Sequence, residues 1–223
     1  MNLKRVVITG LGTINPLGHN VPEFWGNLIK GVSGAGPITR FDASKFRTQF
    51  ACEVKDYDPI SYFDKKEVRK MDLYTQFGLI AAREALQDSG LDKEQENVKR
   101  IGVIWGAGIG GLQTFFEECR DFATGDGTPR FNPFFIPKMI ANMAGGMIAI
   151  EHGFKGPNYT TVSACASSAH ALVDALDLIR LGKADVIVAG GSEAAITVPG
   201  VGGFSAMKAI STRNDDPKTA SRP

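Results

Sequence analysis

Cysteine and histidine are scarce in this sequence, with three of each in 223 residues. Cys52, Cys119 and Cys165 are odd in number, far apart and free of any CxxC pair. That excludes a disulfide framework and a structural zinc site. Net charge is almost absent as well. Lys and Arg total 25 against 24 Asp and Glu, leaving +1, so no global positive field exists to attract nucleic acid. No apolar run approaches a membrane span, and the run before Thr9-Gly10 is too short for a signal peptide. Repeats and low-complexity tracts are missing too. The expectation is a soluble, cytoplasmic chain with reduced thiols, no metal and no cofactor.

What is present points to an α/β fold. At 43% hydrophobic and 22% charged residues the chain can build a core, and its length suits one large domain or two small ones. Short β-rich runs ending in small residues recur at Arg5–Gly10, Arg100–Gly106, Asn158–Ser163 and Asp185–Gly190. Runs of this kind, without polar alternation, predict strands buried on both faces. Helical patterns lie between them. Met71, Tyr74, Phe77, Gly78, Ala81 and Ala85 share one helix face, closed by Asp88-Ser89-Gly90. From Ala166 to Leu181 the predicted core stripe is Ala169, Leu172, Val173, Leu176 and Ile179, with Gly182 as the stop. The segment from Asp126 to Pro137 holds three prolines and reads as a long loop. The polar stretch from Ser211 onward has no periodicity. The coarse prediction is one layered α/β domain.

Three motifs carry chemistry. Gly106-Ala-Gly-Ile-Gly-Gly111 fits GxGxxG after a strand, with Asp126 twenty residues on. A dinucleotide site, however, needs that acid at the end of a second strand, and Asp126 sits in a glycine-broken loop. Backbone packing is the better account. The second motif is Val162-Ser-Ala-Cys-Ala-Ser-Ser-Ala-His170, where a β-run meets a helix at or just after Cys165. A thiol there feels the positive end of the helix dipole, and its small neighbours leave room for a substrate. The Cys165 amide could also stabilise an oxyanion. A buried structural cysteine is the competing reading. No histidine completes the site, because His170 lies about 140° around the helix from Cys165 and His19 and His152 fall in loop-like contexts. This weighs against a cysteine hydrolase. Third, Lys65-Lys-Glu-Val-Arg-Lys70 places cations at a helix start, against the dipole. An anionic partner would explain them, and so would a solvated face. Arg130 and Lys208 could join such a patch.

These pieces occur together in a familiar order: VVITGLGTINPLG, GAGIGG, NPFFIP, VSACASSAHAL, ADVIVAGGSEA, GVGGFSAMKAIST and RNDDPKTASRP. From Val6 to Pro223 the chain resembles the β-ketoacyl-acyl-carrier-protein synthases, the type II condensing enzymes of bacterial fatty acid synthesis. The resemblance implies a thiolase-like fold, layered α-β-α-β-α in the full enzyme, of which this chain covers the N-terminal half. It implies a homodimer, and acyl transfer to Cys165 followed by decarboxylative Claisen condensation with malonyl-carrier protein. It also implies that Ile109 and Phe204 line the acyl pocket. Lys66, Arg69, Lys70, Arg130 and Lys208 match or lie near the positions that receive the acidic carrier protein. Two histidines and a lysine that serve the enolate in this family belong to the other half. Apolar surface is therefore expected to lie exposed, and condensation by these residues alone is not expected. A non-catalytic partner subunit is the alternative, against which the retained Cys165 speaks.

Overall fold

The computed structural model describes residues 3–92 and 94–221. Arg222 and Pro223, which close the RNDDPKTASRP run, lie outside them, as do Met1, Asn2 and Lys93. In chain order the elements are α1 (Val21–Leu28), β1 (Gly36–Pro37), β2 (Phe50–Ala51), α2 (Lys65–Val68), α3 (Leu73–Ser89) and β3 (Ile101–Gly106). Then come α4 (Leu112–Thr124), α5 (Phe135–Met139), α6 (Met143–His152), β4 (Asn158–Thr161), α7 (Ser167–Arg180), β5 (Val186–Gly191) and α8 (Val198–Ala206). The α/β layering expected from the sequence is present.

The centre is a parallel sheet in the order β4-β3-β5. All six residues of β3 are buried, as an apolar run between two helical layers requires. The register pairs Gly106 with Thr161 on one side and with Gly191 on the other, so the three strands end level. Successive strand residues face opposite sides. Ile101, Val103 and Trp105 join Tyr74 and Leu79 of α3 and Ala144 and Ile148 of α6 in one hydrophobic cluster. On the other face, Gly106 meets the backbone of Ser167 at the start of α7.

The helix α3 forms where the pattern placed it, with Asp72 as N-cap and Gly90 as a left-handed C-cap at φ +64°. Asp72 is buried and serves two helices at once. Its Oδ1 accepts from the Tyr74 amide at 3.4 Å, and its Oδ2 accepts from the Thr114 amide at 3.1 Å and the Thr114 hydroxyl at 2.5 Å. Thr114 lies in the first turn of α4, so one carboxylate joins the N-termini of α3 and α4. Across the same core, Arg83 forks onto Glu151 of α6 at 2.6 and 2.8 Å and stacks on Phe63.

Four expectations fail. Burial on both faces holds for β3 and not for β4 or β5: Asn158 and Tyr159 of β4 are exposed, and of β5 only Val188 is buried. Residues 5–10 form no strand. At its end Gly10 lets the chain lie directly on α3, where a Cβ would fall 2.1 Å from the Ala85 carbonyl oxygen. No described strand pairs with it, and just past it the amides turn to α3: Leu11 donates to Asp88 at 2.9 Å and Thr13 to Glu84 at 2.8 Å. Val7 and Ile8 consequently stay 59% and 82% exposed. The stripe assigned to α7 is also rotated. The face on the sheet is Ser167, Ala171 and Ala175, whereas Leu172 and Val173 are exposed. Close helix–sheet approach selects the small residues, a choice that hydrophobicity alone does not reveal. Finally, the loop from Asp126 ends early, because Pro137 fits inside the first turn of α5, where no intrahelical amide is needed.

Replacing Asp72 by Ala is expected to cost about 2–4 kcal/mol, combining a lost cap with unpaired buried groups on Thr114. Urea unfolding of the variant checks this, and a loss below about 0.5 kcal/mol would mean that the two helix ends are held by something else.

Candidate functional site

The strands end level, and the chain leaving β4 has five residues, Val162 to Ala166, in which to turn into α7. The turn is achieved by Ala164 in the left-handed region at φ +53°, a conformation that costs a non-glycine residue on the order of 1–2 kcal/mol. Ser167 holds it there. Its buried hydroxyl donates to the Ala164 carbonyl at 2.7 Å and accepts from the Ser163 amide at 2.9 Å. The Thr161 hydroxyl donates to the Ser167 carbonyl at 2.7 Å. Cys165 therefore projects from a tied elbow, exposed, two residues before a helix that begins without a side-chain cap.

The elbow borders a pocket of about 350 Å³ that includes Cys165, Ile109 and Phe204. The resemblance named Cys165 as the nucleophile and Ile109 with Phe204 as pocket residues, and all three border this one cavity. Ile109 comes from the GAGIGG turn between β3 and α4, and Phe204 from α8. That turn holds no place for a pyrophosphate. Glu193 Oε2 accepts from the amides of Gly108 and Ile109 at 2.9 and 2.8 Å, and Oε1 accepts from Gly110 at 3.2 Å. The amides that a dinucleotide would need already hold a carboxylate, and Asp126 lies exposed beyond α4. Sequence reasoning missed Glu193. The available signal was register: Gly106 pairs with Gly191, and Gly108 and Glu193 each lie two residues further on.

Each histidine has a described partner other than the thiol. His170 Nδ1 lies 2.6 Å from the Ser163 hydroxyl, a contact that the helical angle from Cys165 did not reveal. His19 donates from Nε2 to the Lys55 carbonyl at 2.7 Å, which leaves Nδ1, 2.9 Å from the Tyr62 hydroxyl, as an acceptor in the neutral ring. His152, expected in a loop, instead ends α6 and stacks on Phe154.

The basic residues are only partly gathered. Lys66, Arg69 and Lys70 are exposed in and just after α2. Asp64 offsets their unfavourable place at a helix start: its Oδ1 accepts from the amides of Lys66 and Glu67 at 2.7 and 2.8 Å. These amides, Glu67 foremost, hold the Asp64 carboxyl below its usual range. The Lys70 ammonium lies 5.9 Å from the Phe134 ring, which sets this stretch beside the loop bearing Arg130. Arg130 itself is paired with Asp126 at 3.4 Å. Lys208 is exposed after α8 at φ +58°, and no described contact joins it to the others.

Comparison with known proteins agrees with this geometry. Residues 3–223 match the family described as beta-ketoacyl synthase, N-terminal domain. The chain is 48% identical over 223 residues to 3-oxoacyl-[acyl-carrier-protein] synthase 2 of Coxiella burnetii, covering all of this chain and 54% of that protein. It is 46% identical over 220 residues to the protein of that name from Synechocystis, covering 99% and 53%. The chain thus spans about half the length of the curated relatives it matches. Among solved structures, a beta-ketoacyl synthase from Burkholderia phymatum superimposes with TM-score 0.85 at 28% identity, covering 99% of this chain and 54% of that one. The ishigamide ketosynthase/chain length factor gives 0.83 at 29%, covering 92% and 51%. The thiolase-like fold expected from the sequence is the one observed.

The left-handed elbow makes a clear demand on residue 164. Ala164→Gly is expected to unfold within about 1 kcal/mol of the parent, and Ala164→Val to lose about 2 kcal/mol or more. Thermal melts decide it, since equal tolerance of Val and Gly is incompatible with this backbone.

Proposed function

Because the chain belongs to the β-ketoacyl synthase family, whose N-terminal domain it spans, we propose that it carries the nucleophile, acyl pocket and carrier-docking face of a 3-oxoacyl-[acyl-carrier-protein] synthase acting in fatty acid biosynthesis. The observation behind this reading is Cys165 itself, exposed on a strained elbow and facing a pocket walled by Ile109 and Phe204. A nucleophile needs access and a fixed direction of approach, and a structural cysteine needs neither.

In the first step the Cys165 thiolate attacks the carbonyl carbon of an acyl thioester on the carrier protein. The tetrahedral oxyanion collapses with loss of the carrier thiolate, leaving an acyl thioester on Cys165. In the second, malonyl-carrier protein loses carbon dioxide to give an enolate. The enolate carbon bonds to the acyl carbonyl carbon, the Cys165–acyl bond breaks, and 3-oxoacyl-carrier protein departs. Apolar walls at Ile109 and Phe204 suit the alkyl chain. The family's two histidines and lysine, which serve the enolate, have no counterpart among these residues, so the proposal for this chain covers the remaining tasks. A non-catalytic partner role is disfavoured by the retained thiol.

Lys66, Arg69 and Lys70 form the docking face for the acidic carrier, with Arg130 nearby and Lys208 as a further contact. The working form in this reading is a cytoplasmic homodimer. Among the described residues, no helix is long and apolar enough to cross a membrane.

Two outcomes follow. All three cysteines are exposed, so exposure alone gives iodoacetamide no preference; an activated Cys165 should nevertheless be alkylated about tenfold faster than Cys52 or Cys119. Peptide mapping that finds equal rates would contradict the nucleophile assignment. Second, Arg69→Glu with Lys70→Glu should lower kcat/KM for carrier-bound acyl groups about tenfold at low salt. It should leave small thioester mimics almost untouched. Equal losses on both substrates would place the defect in folding, where Lys70 packs on Phe134.

A further inference from the structure

Glu193 borders the same pocket as Cys165 and has no part in the chemistry assigned to the thiol, yet it accepts hydrogen bonds from three consecutive amides, those of Gly108, Ile109 and Gly110. Successive amides converging on one carboxylate make a nest, and bonds to a charged acceptor are the stronger kind. The opposite side of the loop is tied as well. Gly111 donates to the Met139 carbonyl at 3.0 Å, and a Cβ on Gly110 would fall 2.9 Å from that same oxygen. A Cβ on Gly108 would lie 3.0 Å from the carbonyl of Ala164, the residue before the thiol. The loop is thus suspended between Glu193, Met139 and the nucleophile elbow. The side chain it carries into the pocket, Ile109, is itself 41% exposed. Packing therefore covers Ile109 only in part, and the backbone bonds share in fixing where it stands.

We propose that Glu193 is a positioning residue that sets which acyl chain lengths Cys165 accepts, by holding Ile109 at the wall of the pocket through the amides of residues 108–110. This rests on the reading of that pocket as the acyl site. The chemistry favours a carboxylate specifically. Its two oxygens serve all three donors, whereas an amide side chain has one acceptor oxygen and would turn an NH₂ group toward an N–H.

The test compares Glu193→Gln, Glu193→Asp and Ile109→Ala with the parent in the full-length protein. The rate of acyl transfer to Cys165 is measured from butyryl- and dodecanoyl-carrier protein, and the ratio of the two rates is taken. Both substrates use the same thiol, so the ratio cancels any change in its reactivity. Hydrogen exchange over residues 106–112 is followed in parallel. Glu193→Gln is expected to shift the ratio by about fivefold or more and to speed exchange in this loop about tenfold, the size of a weakened charge-assisted bond. Glu193→Asp, charged but shorter, should shift both less, and it supplies the same criteria if the Gln variant fails to fold. A ratio moved by Ile109→Ala but by neither Glu193 variant overturns the role of Glu193 and leaves the pocket reading intact. A ratio moved by none of them overturns the pocket reading. A shifted ratio with unchanged loop exchange also overturns the proposal, because Glu193 would then act by another route.

Discussion

The structure depends on one close approach, in which the ends of the central strands touch the first turn of α7 with no side chain between them. A Cβ on Gly106 would fall 2.4 Å from the Ser167 carbonyl carbon, and one on Gly191 would fall 2.7 Å from the Ser168 Cβ. Only glycine fits at either place. Because β3 and β5 end level there, the helix start rests on the rim of the sheet, and the residues just before it are carried above that rim. Cys165 owes its exposed position to this contact. So does the strained geometry at Ala164, since five residues cannot join β4 to a helix seated so closely without a sharp turn.

Consequences run outward from the same contact. A helix this near the sheet must present small residues to it, so α7 buries Ala171 and Ala175 and turns Leu172 and Val173 outward. The turn after β3 must then pass between the elbow and the end of β5, where Glu193 fills its amides. On the other sheet face, where Trp105 supplies bulk, α3 and α6 approach through Gly78 and Gly145. The Asp72 carboxylate ties α4, which leads out of the glycine turn, to α3. Nucleophile, pocket wall and core are thereby parts of one packed unit.

Much of this was legible in the residues. The runs that became β3 and β5 were visible as apolar stretches and that of β4 as a β-rich run, α3 as a periodic face with its glycine stop, and Cys165 as a thiol between a strand and a helix. What escaped has physical causes. Residues 5–10 have strand composition, but strand formation needs a neighbour, and no described strand lies beside them. The stripe on α7 followed hydrophobicity, while the contact selected size. Glu193 and Asp72 escaped because a buried or amide-capping carboxylate looks like any surface acid until the register of two strands, or the meeting of two helix ends, is known. The angle between His170 and the thiol took both to lie on one helix, but α7 begins at Ser167, and the hold of His170 on Ser163 needed the fold.

The central claim is that Cys165 becomes acylated, and mass spectrometry of the full-length protein tests it most directly. The protein is incubated with an acyl-carrier protein and no malonyl donor, then digested. The account predicts a mass increase equal to one acyl group, stoichiometric, on the peptide containing Cys165 and removable by hydroxylamine. An acyl group carried on any other residue, or consumption of the thioester with Cys165 unmodified throughout, would contradict it.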